Sequence, residues 1–390
     1  MRIRSVRTTL ASRLHSTGEQ WITDRYRSIK ADLVVVAVEL EDGTVGIGEA
    51  SPYGIPAMIA DWVEWLSRDL IGADLFNDRA VPRPNGTATI GRVGSSHDFA
   101  AAGIDCAIWD ARGKIRGASV ARLLNPDADD RVKVYASGGV RFDWRKDPNV
   151  LVEDVRDYVD AGYDTVKVRL GTAWRWDRVT PGRFLDLYDE ALAEAGPGVR
   201  IAVDANCRLG LEEAIELARG LESRGAPFLE EPFPNTDLAL YAELKRHTFL
   251  PISGGESFSS HEQYRPWLEY GLLDIVQPDA GVMGITELCL VGRTAESVGV
   301  QVIPHSWHNG LMAMANANAV AALPNAPMVE ECMVQGPLKW GIAAAGSPVR
   351  EGSIDLSDRH GLGFELIPDL EQRFPNIEGH YGVEVFRDER

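Results

Sequence analysis

Cysteine is scarce in this sequence: four in 390 residues, Cys106, Cys207, Cys289 and Cys332. They stand far apart and form no CxxC pair. That excludes a disulfide framework and predicts reduced thiols in a cytoplasmic protein. Basic residues are also in deficit. Forty Lys and Arg stand against 58 Asp and Glu, a formal charge of −18. A phosphate backbone must be neutralised by Lys and Arg, so neither nucleic acid nor an anionic membrane surface is expected as a partner. Long apolar runs are missing as well. A run such as 33–38 has strand length and falls far short of a membrane span. The N-terminus has early Arg residues but no apolar stretch, so no signal peptide is expected. With no low-complexity segment and no Pro-rich linker, the parts of the chain are expected to pack tightly.

At about 150 residues per domain the length suggests two or three domains; a barrel of roughly 250 residues plus a smaller unit also fits. Residues 31–40 are β-rich, Glu41-Asp42-Gly43-Thr44 is a turn, and 45–50 returns, which predicts a hairpin. A polar, aromatic loop over 12–28 precedes it. Helices are predicted over 56–70 and 97–123, the second with Phe99, Ile104, Ile108 and Trp109 on its apolar positions. Together these form an α+β unit over 1–130. Beyond Asp130 short apolar strands alternate with helix-length segments. The strands are 132–137, 165–170, 199–206, 228–232, 252–256, 274–279, 301–306 and 328–332. Such alternation predicts an α/β fold with a parallel sheet, and eight strands suit a closed barrel over 131–345. No helix is read after the eighth strand, where Gly336, Pro337 and Gly346 interrupt. The tail, 346–390, is expected to return to the N-terminal unit.

Most of these strands end in an ionisable residue. Asp204, Glu230, Glu256, Asp279 and His305 follow one another at intervals of 26, 26, 23 and 26 residues. That interval is one βα unit, so the five occupy equivalent places at the C-terminal mouth, where barrel active sites sit. Asp204, Glu230 and Glu256 fall on adjacent strands. Three anions that close repel by several kcal/mol even at an effective dielectric of about 20. A hard divalent cation removes that cost, and oxygen-only ligation suits Mg2+. Glu231 points to the other side of its strand by alternation. Lys167 and Arg169 share a face; they bind an anionic substrate, and the neighbouring Arg is expected to lower the pKa of Lys167. Asp279 and His305 form a carboxylate–imidazole dyad. His308 contacts substrate or caps the following helix.

The motifs VKVRL, VDAN, LEEP, GGES, QPDAGVMGI and PHSW, with Lys167, Asp204, Glu230, Glu256, Asp279 and His305, resemble the enolase superfamily in its mandelate racemase subgroup. The resemblance spans nearly the whole chain. It implies a modified (β/α)7β TIM-like barrel with an N-terminal α+β capping domain. It implies Mg2+ on Asp204, Glu230 and Glu256, and acid/base work by His305 with Asp279. Glu330 resembles the last-strand Glu that hydrogen-bonds the enolate oxygen, a role that needs it protonated. The capping loops with Trp21, Tyr26 and Tyr53 would help choose the substrate, with Arg169, Asn206 and His308 beside it. A homo-oligomer is also implied.

The shared chemistry of that group is proton abstraction α to a carboxylate. One departure shapes the expectation: the racemase pattern is Lys-x-Lys, and here the second position is Arg169. Guanidinium stays protonated and makes a poor base. The expected function is therefore Mg2+-dependent dehydration of an aldonate or aldarate, with Lys167 or His305 as base. An epimerase, racemase or sugar-acid lactone cycloisomerase is the alternative, and a non-catalytic sugar-acid sensor a third reading. The small-molecule partner is an acid sugar.

Overall fold

A computed structural model describes residues 1–17, 19–20, 26–79, 81–83, 95–170, 178–334 and 336–384, and of Tyr26 the backbone only. Trp21 and the Tyr26 side chain, which the resemblance places in substrate loops, lie outside it.

The N-terminal unit is a three-stranded antiparallel sheet with helices on one face. Its strands are β1 (Ile3–Leu14) and β3 (Lys30–Leu40), which pair along their whole length, and β4 (Val45–Ala50). The short β2 (Tyr26–Ser28) lies apart. The predicted turn closes β3 onto β4: Leu40 N–H donates to the Thr44 carbonyl at 2.9 Å and Asp42 accepts from Thr44 N at 3.0 Å. Gly43 takes φ 88, which favours glycine. Helices α1 (Pro56–Ser67), α2 (Ser95–Arg116) and α3 (Val120–Leu124) follow. The single predicted helix over 97–123 is two, broken at Gly117, whose φ of 63 ends α2. Gly48 on β4 brings the sheet against α2; a Cβ there would sit 2.3 Å from the Gly103 carbonyl oxygen.

The barrel follows in seven βα steps and a closing strand: β5 (Arg131–Ser137), α4 (Val150–Asp160), β6 (Thr165–Arg169), α5 (Pro181–Ala195), β7 (Arg200–Asp204), α6 (Leu211–Ser223), β8 (Leu229–Glu230), α7 (Leu238–Leu244), β9 (Ile252–Gly254), α8 (His261–Glu269), β10 (Ile275–Val276), α9 (Ala280–Ser297), β11 (Gln301–Val302), α10 (Gly310–Ala322) and β12 (Val329–Cys332). Strands β5 to β11 pair parallel in chain order and β12 pairs β5, so the sheet curls round on itself. Tyr135 on β5, Ala202 on β7 and Ile275 on β10 form a buried cluster with Phe228, Ile303 and Met328, which flank β8, β11 and β12. Such packing makes the barrel interior a core and leaves chemistry to its mouth. All eight predicted strands are present, most of them shorter than their apolar runs.

After β12 come α11 (Pro337–Gly341), β13 (Val349–Arg350), β14 (Ser353–Asp355), α12 (Leu370–Arg373) and β15 (Gly382–Glu384). β14 runs antiparallel to β5, an addition to the barrel that the sequence did not suggest. β15 pairs β2, so the end of the chain meets the N-terminal unit. That unit docks on the barrel through buried polar bonds. Asp105 accepts from Thr286 N at 2.9 Å and from Thr286 Oγ1 at 2.6 Å. Glu49, fully buried, accepts from Asn309 and Met312 at the start of α10. α10 is buried all round. The four cysteines are free, and Cys207 is half-buried rather than buried. Among the described residues no helix is long and apolar enough to cross a membrane.

Candidate active site

Register places the charged residues at one level. Arg169 on β6 is abreast of Asp204 on β7, and Asp204 is abreast of Glu230 on β8. Glu256 lies just past the end of β9 and His305 past the end of β11. Each of the three carboxylates already has partners. Asp204 accepts from Asn206 N at 2.8 Å and from Asn206 Nδ2 at 2.6 Å, and Arg169 Nε lies 3.4 Å from it. Glu230 accepts from Lys167 Nζ at 2.7 and 2.8 Å and from Gln277 Nε2. Glu256 faces His305 Nε2 at 3.6 Å.

Glu230 is pushed up to about 8: burial raises it most, Lys167 pulls it down, and Asp204, Glu330 and Glu256 raise it further. Asp204, Glu230 and Glu256 are the oxygen set that the sequence suggested for a hard cation, although among the described residues they do not bring three oxygens within 4.8 Å of one another. Asn206 Oδ1 and Gln277 Oε1, both buried with no hydrogen-bond partner, add neutral oxygens beside them. Gln277 was legible in the QPD motif, two residues before Asp279, but was not singled out.

Three expectations are corrected. Lys167 does not have a lowered pKa. Burial pulls it down, but Glu230 and Glu330, the latter at 2.8 Å, outweigh burial and hold it well above the ordinary lysine range. The influence expected from Arg169 is overruled by two carboxylates in direct contact. Glu330 is not poised as a protonated donor. Burial alone would raise it, yet Lys167 and His305 hold it well below the usual carboxylate range, and it accepts from Ser306 N at 2.7 Å. Nor does Glu231 turn away. β8 ends at Glu230, and Glu231 has φ 38, so strand alternation does not govern it. Its buried carboxyl, pushed well up by burial and then by Glu256 and Asp204, belongs to the same acidic group.

Among the described residues, Asp279, His305 and His308 bring three ligand-type atoms within 4.8 Å of one another. Asp279 is the N-cap of α9 and accepts from Gly281 N at 2.9 Å. Its Oδ2 lies 2.7 Å from His305 Nδ1 and 2.9 Å from His308 Nε2. The two imidazoles outweigh burial and hold its carboxyl below the usual range. His305 is pushed up to about 10: burial lowers it, and Glu256, Asp279 and Glu330 more than compensate. With Nδ1 committed to Asp279, Nε2 is the nitrogen directed toward Glu256 and the mouth. His308 is fully buried behind Asp279, its ring 5.0 Å from that of Tyr53. Sequence reasoning missed Asn316 on α10. It donates to Asp279 Oδ1 at 3.3 Å and to the His305 carbonyl at 3.1 Å, and accepts from Ala280 N at 2.9 Å. Its signal was to be one of two asparagines, with Asn318, in an otherwise apolar helix.

Comparison with known proteins bears on this arrangement. Residues 150–370 match the family model described as enolase C-terminal domain-like. Residues 23–125 match that of the mandelate racemase / muconate lactonizing enzyme N-terminal domain. The chain is 28% identical to a D-galactarolactone cycloisomerase of Agrobacterium fabrum, over 96% of this chain and 99% of that one. It is 29% identical to an arabinonate dehydratase of Saccharolobus solfataricus, over 86% of this chain and 88% of the other. The crystal structure of an enolase superfamily member from a Polaromonas species superposes with a TM-score of 0.85 at 27% identity, covering 97% and 99% of the two chains.

Proposed function

The chain belongs to the mandelate racemase and muconate lactonizing enzyme family of the enolase superfamily, and on that footing we propose that it is a Mg2+-dependent sugar-acid dehydratase. Asp204, Glu230 and Glu256 would hold the cation. When bound, Mg2+ supplies Lewis-acid stabilisation of a carboxylate that gains charge as its α-proton leaves. The rest falls to the chain's own residues. Arg169 and Lys167 are cations for the substrate carboxylate. His305, oriented through Nδ1 by Asp279, takes the α-proton at Nε2 in its neutral form, which a cation on Glu256 would favour by offsetting the carboxylate that raises the imidazole most. The same nitrogen returns a proton to the departing β-hydroxyl, which leaves as water. The enol so formed tautomerises to a 2-keto-3-deoxy acid.

The observation that carries this reading is the pairing of one oriented base with an arginine at the second position of the VKVRL motif. The Asp279–His305 contact of 2.7 Å prepares an imidazole on one side. Arg169 cannot serve as the second base that racemisation needs. The named relatives support it: an arabinonate dehydratase, a D-gluconate dehydratase of Thermoproteus tenax at 27% identity and D-galactonate dehydratases of Xanthomonas at 29% identity. A lactone cycloisomerase is the second reading. It is favoured by the relative that matches 96% of the chain. The product decides between them. A screen of sugar acids with semicarbazide detection is expected to yield a 2-keto acid. His305→Asn is expected to lower kcat by about 10²–10⁴-fold, the range of a general acid–base residue. Isomerised product without ketone, or normal turnover by the variant, rejects dehydration by His305.

A further inference from the structure

His308 stands behind the dyad with its hydrogen bonds unmade. It is fully buried, and neither of its ring nitrogens has a hydrogen-bond partner. A buried imidazole in that condition has given up its hydration with nothing in return, a state that an ordered water or an ion relieves. Yet its Nε2 lies only 2.9 Å from Asp279 Oδ2. A contact that close without a hydrogen bond means that the nitrogen does not point at the oxygen. Two ligands of one metal ion stand in this relation, since each points at the ion rather than at the other.

A third ligand is at hand. His305 Nδ1 lies 2.7 Å from the same oxygen, and the three residues bring ligand-type atoms within 4.8 Å of one another. Around a tetrahedral zinc ion, with bonds of about 2.1 Å, ligand atoms stand roughly 3.4 Å apart, so the set has only to open by about half an ångström. Asp279 is braced for such a role. Its Oδ1 accepts from Gly281 N at 2.9 Å and from Asn316 Nδ2 at 3.3 Å, which holds the carboxylate while Oδ2 faces the two rings. Glu256, 3.6 Å from His305 Nε2 and partly exposed, puts negative charge on the side from which a cation arrives. Two imidazoles and one carboxylate suit Zn2+, whereas Mg2+ prefers oxygen alone.

We propose that Asp279, His305 and His308 form a second cation site, selective for Zn2+ over Mg2+, whose occupation switches the dyad off. A neutral imidazole has one N–H and one lone pair. A zinc ion on His305 Nδ1 takes the lone pair there, so the single ring proton sits on Nε2, the atom that would receive the α-proton. A doubly protonated ring first releases its Nδ1 proton to solvent. Either way the base is lost. Zinc binding stands independently of the sugar-acid reading; the loss of turnover rests on it.

The test uses the full-length protein in a large excess of Mg2+. Co2+ replaces Zn2+ as the probe, since it takes the same ligands and absorbs visible light. One equivalent is expected to bind and to give the bands of a tetrahedral ion, and Zn2+ is expected to displace it. His308→Gln leaves Asp204, Glu230 and Glu256 untouched and is expected to lose the bands. If that variant does not fold, His305→Asn removes another ligand and serves in its place. No uptake, bands that Mg2+ erases, or bands that the folded variant keeps overturn the proposal. In turnover assays Zn2+ is expected to inhibit the Mg2+-loaded enzyme, with no relief from further Mg2+ and full recovery on chelation of the zinc. Uptake at this site with turnover unchanged overturns the switch. Absence of turnover before any Zn2+ is added rejects the dehydratase reading instead, and the Co2+ bands alone then decide the site.

Discussion

Asn316 touches no reacting atom, yet it holds both members of the dyad: the Asp279 carboxylate, the His305 carbonyl and the backbone of Ala280. Outer partners of this kind commonly contribute 10–100-fold to activity. Asn316→Ala is expected to lower kcat about tenfold with KM nearly unchanged, read from steady-state kinetics; an unchanged kcat removes the positioning role. Residues of this sort mark the limit of legibility at this scale. Asp204, Glu230, Glu256, Asp279 and His305 stood out because each ends a strand, and strands recur at a nearly constant interval. The charge states of Lys167 and Glu330 were not legible. They depend on a contact between strands far apart in the chain, 2.8 Å across the barrel interior, which no local pattern announces. Glu231 was misplaced because alternation presumes a strand that continues, and β8 is two residues long.

Among elements, the contact of β4 with α2 sets where the N-terminal unit sits. Gly46 and Gly48 let the strand lie on the helix backbone; added Cβ atoms would fall 2.2 Å from the Ala107 oxygen and 2.3 Å from the Gly103 oxygen. Gly48→Ala is expected to cost about 1–3 kcal/mol, the usual penalty of overpacking, seen as a lower midpoint in urea unfolding. A midpoint equal to that of the unaltered protein denies the close approach. The same strand carries Glu49 next to its last residue, and that carboxylate accepts from donors at the start of α10. One face of β4 therefore packs on its own helix while its end caps a barrel helix. The hairpin was legible from its turn residues and alternating pattern. The β14 addition to β5 was not, since three residues after a Gly carry no strand signal of their own.

For the whole molecule, the charge of −18 has a local counterpart at the barrel mouth, where Asp204, Glu230, Glu231, Glu256 and Glu330 gather. EDTA is expected to abolish turnover and excess Mg2+ to restore it. Mg2+ at about 100 times its Kd is expected to add roughly 2.7 kcal/mol of stability, visible as a raised Tm. Full activity in metal-free buffer, or no Tm response, rejects the carboxylate metal site. A second expectation concerns the far end of the chain. Deleting residues 375–390 strips Lys30 of the Ile377 and Gly379 carbonyls and leaves a buried ammonium with Asp32 alone. Unpairing a buried charge is costly, so the truncated protein is expected to melt several degrees lower. An unchanged Tm shows that the tail does not brace the cap.

That bond from Lys30 to the tail crosses 347 residues. It has a meaning in time as well as in space. During synthesis the N-terminal sheet emerges first, with its hairpin and α2 available to fold early. β15, which pairs with β2, emerges only after the whole barrel. The loop between these partners is nearly the whole protein, so closing it waits until the barrel has brought its ends together. The rim of the mouth is thus expected to close after the barrel between its two strands has formed. A nascent chain carries its dyad and carboxylates before it carries a finished entrance.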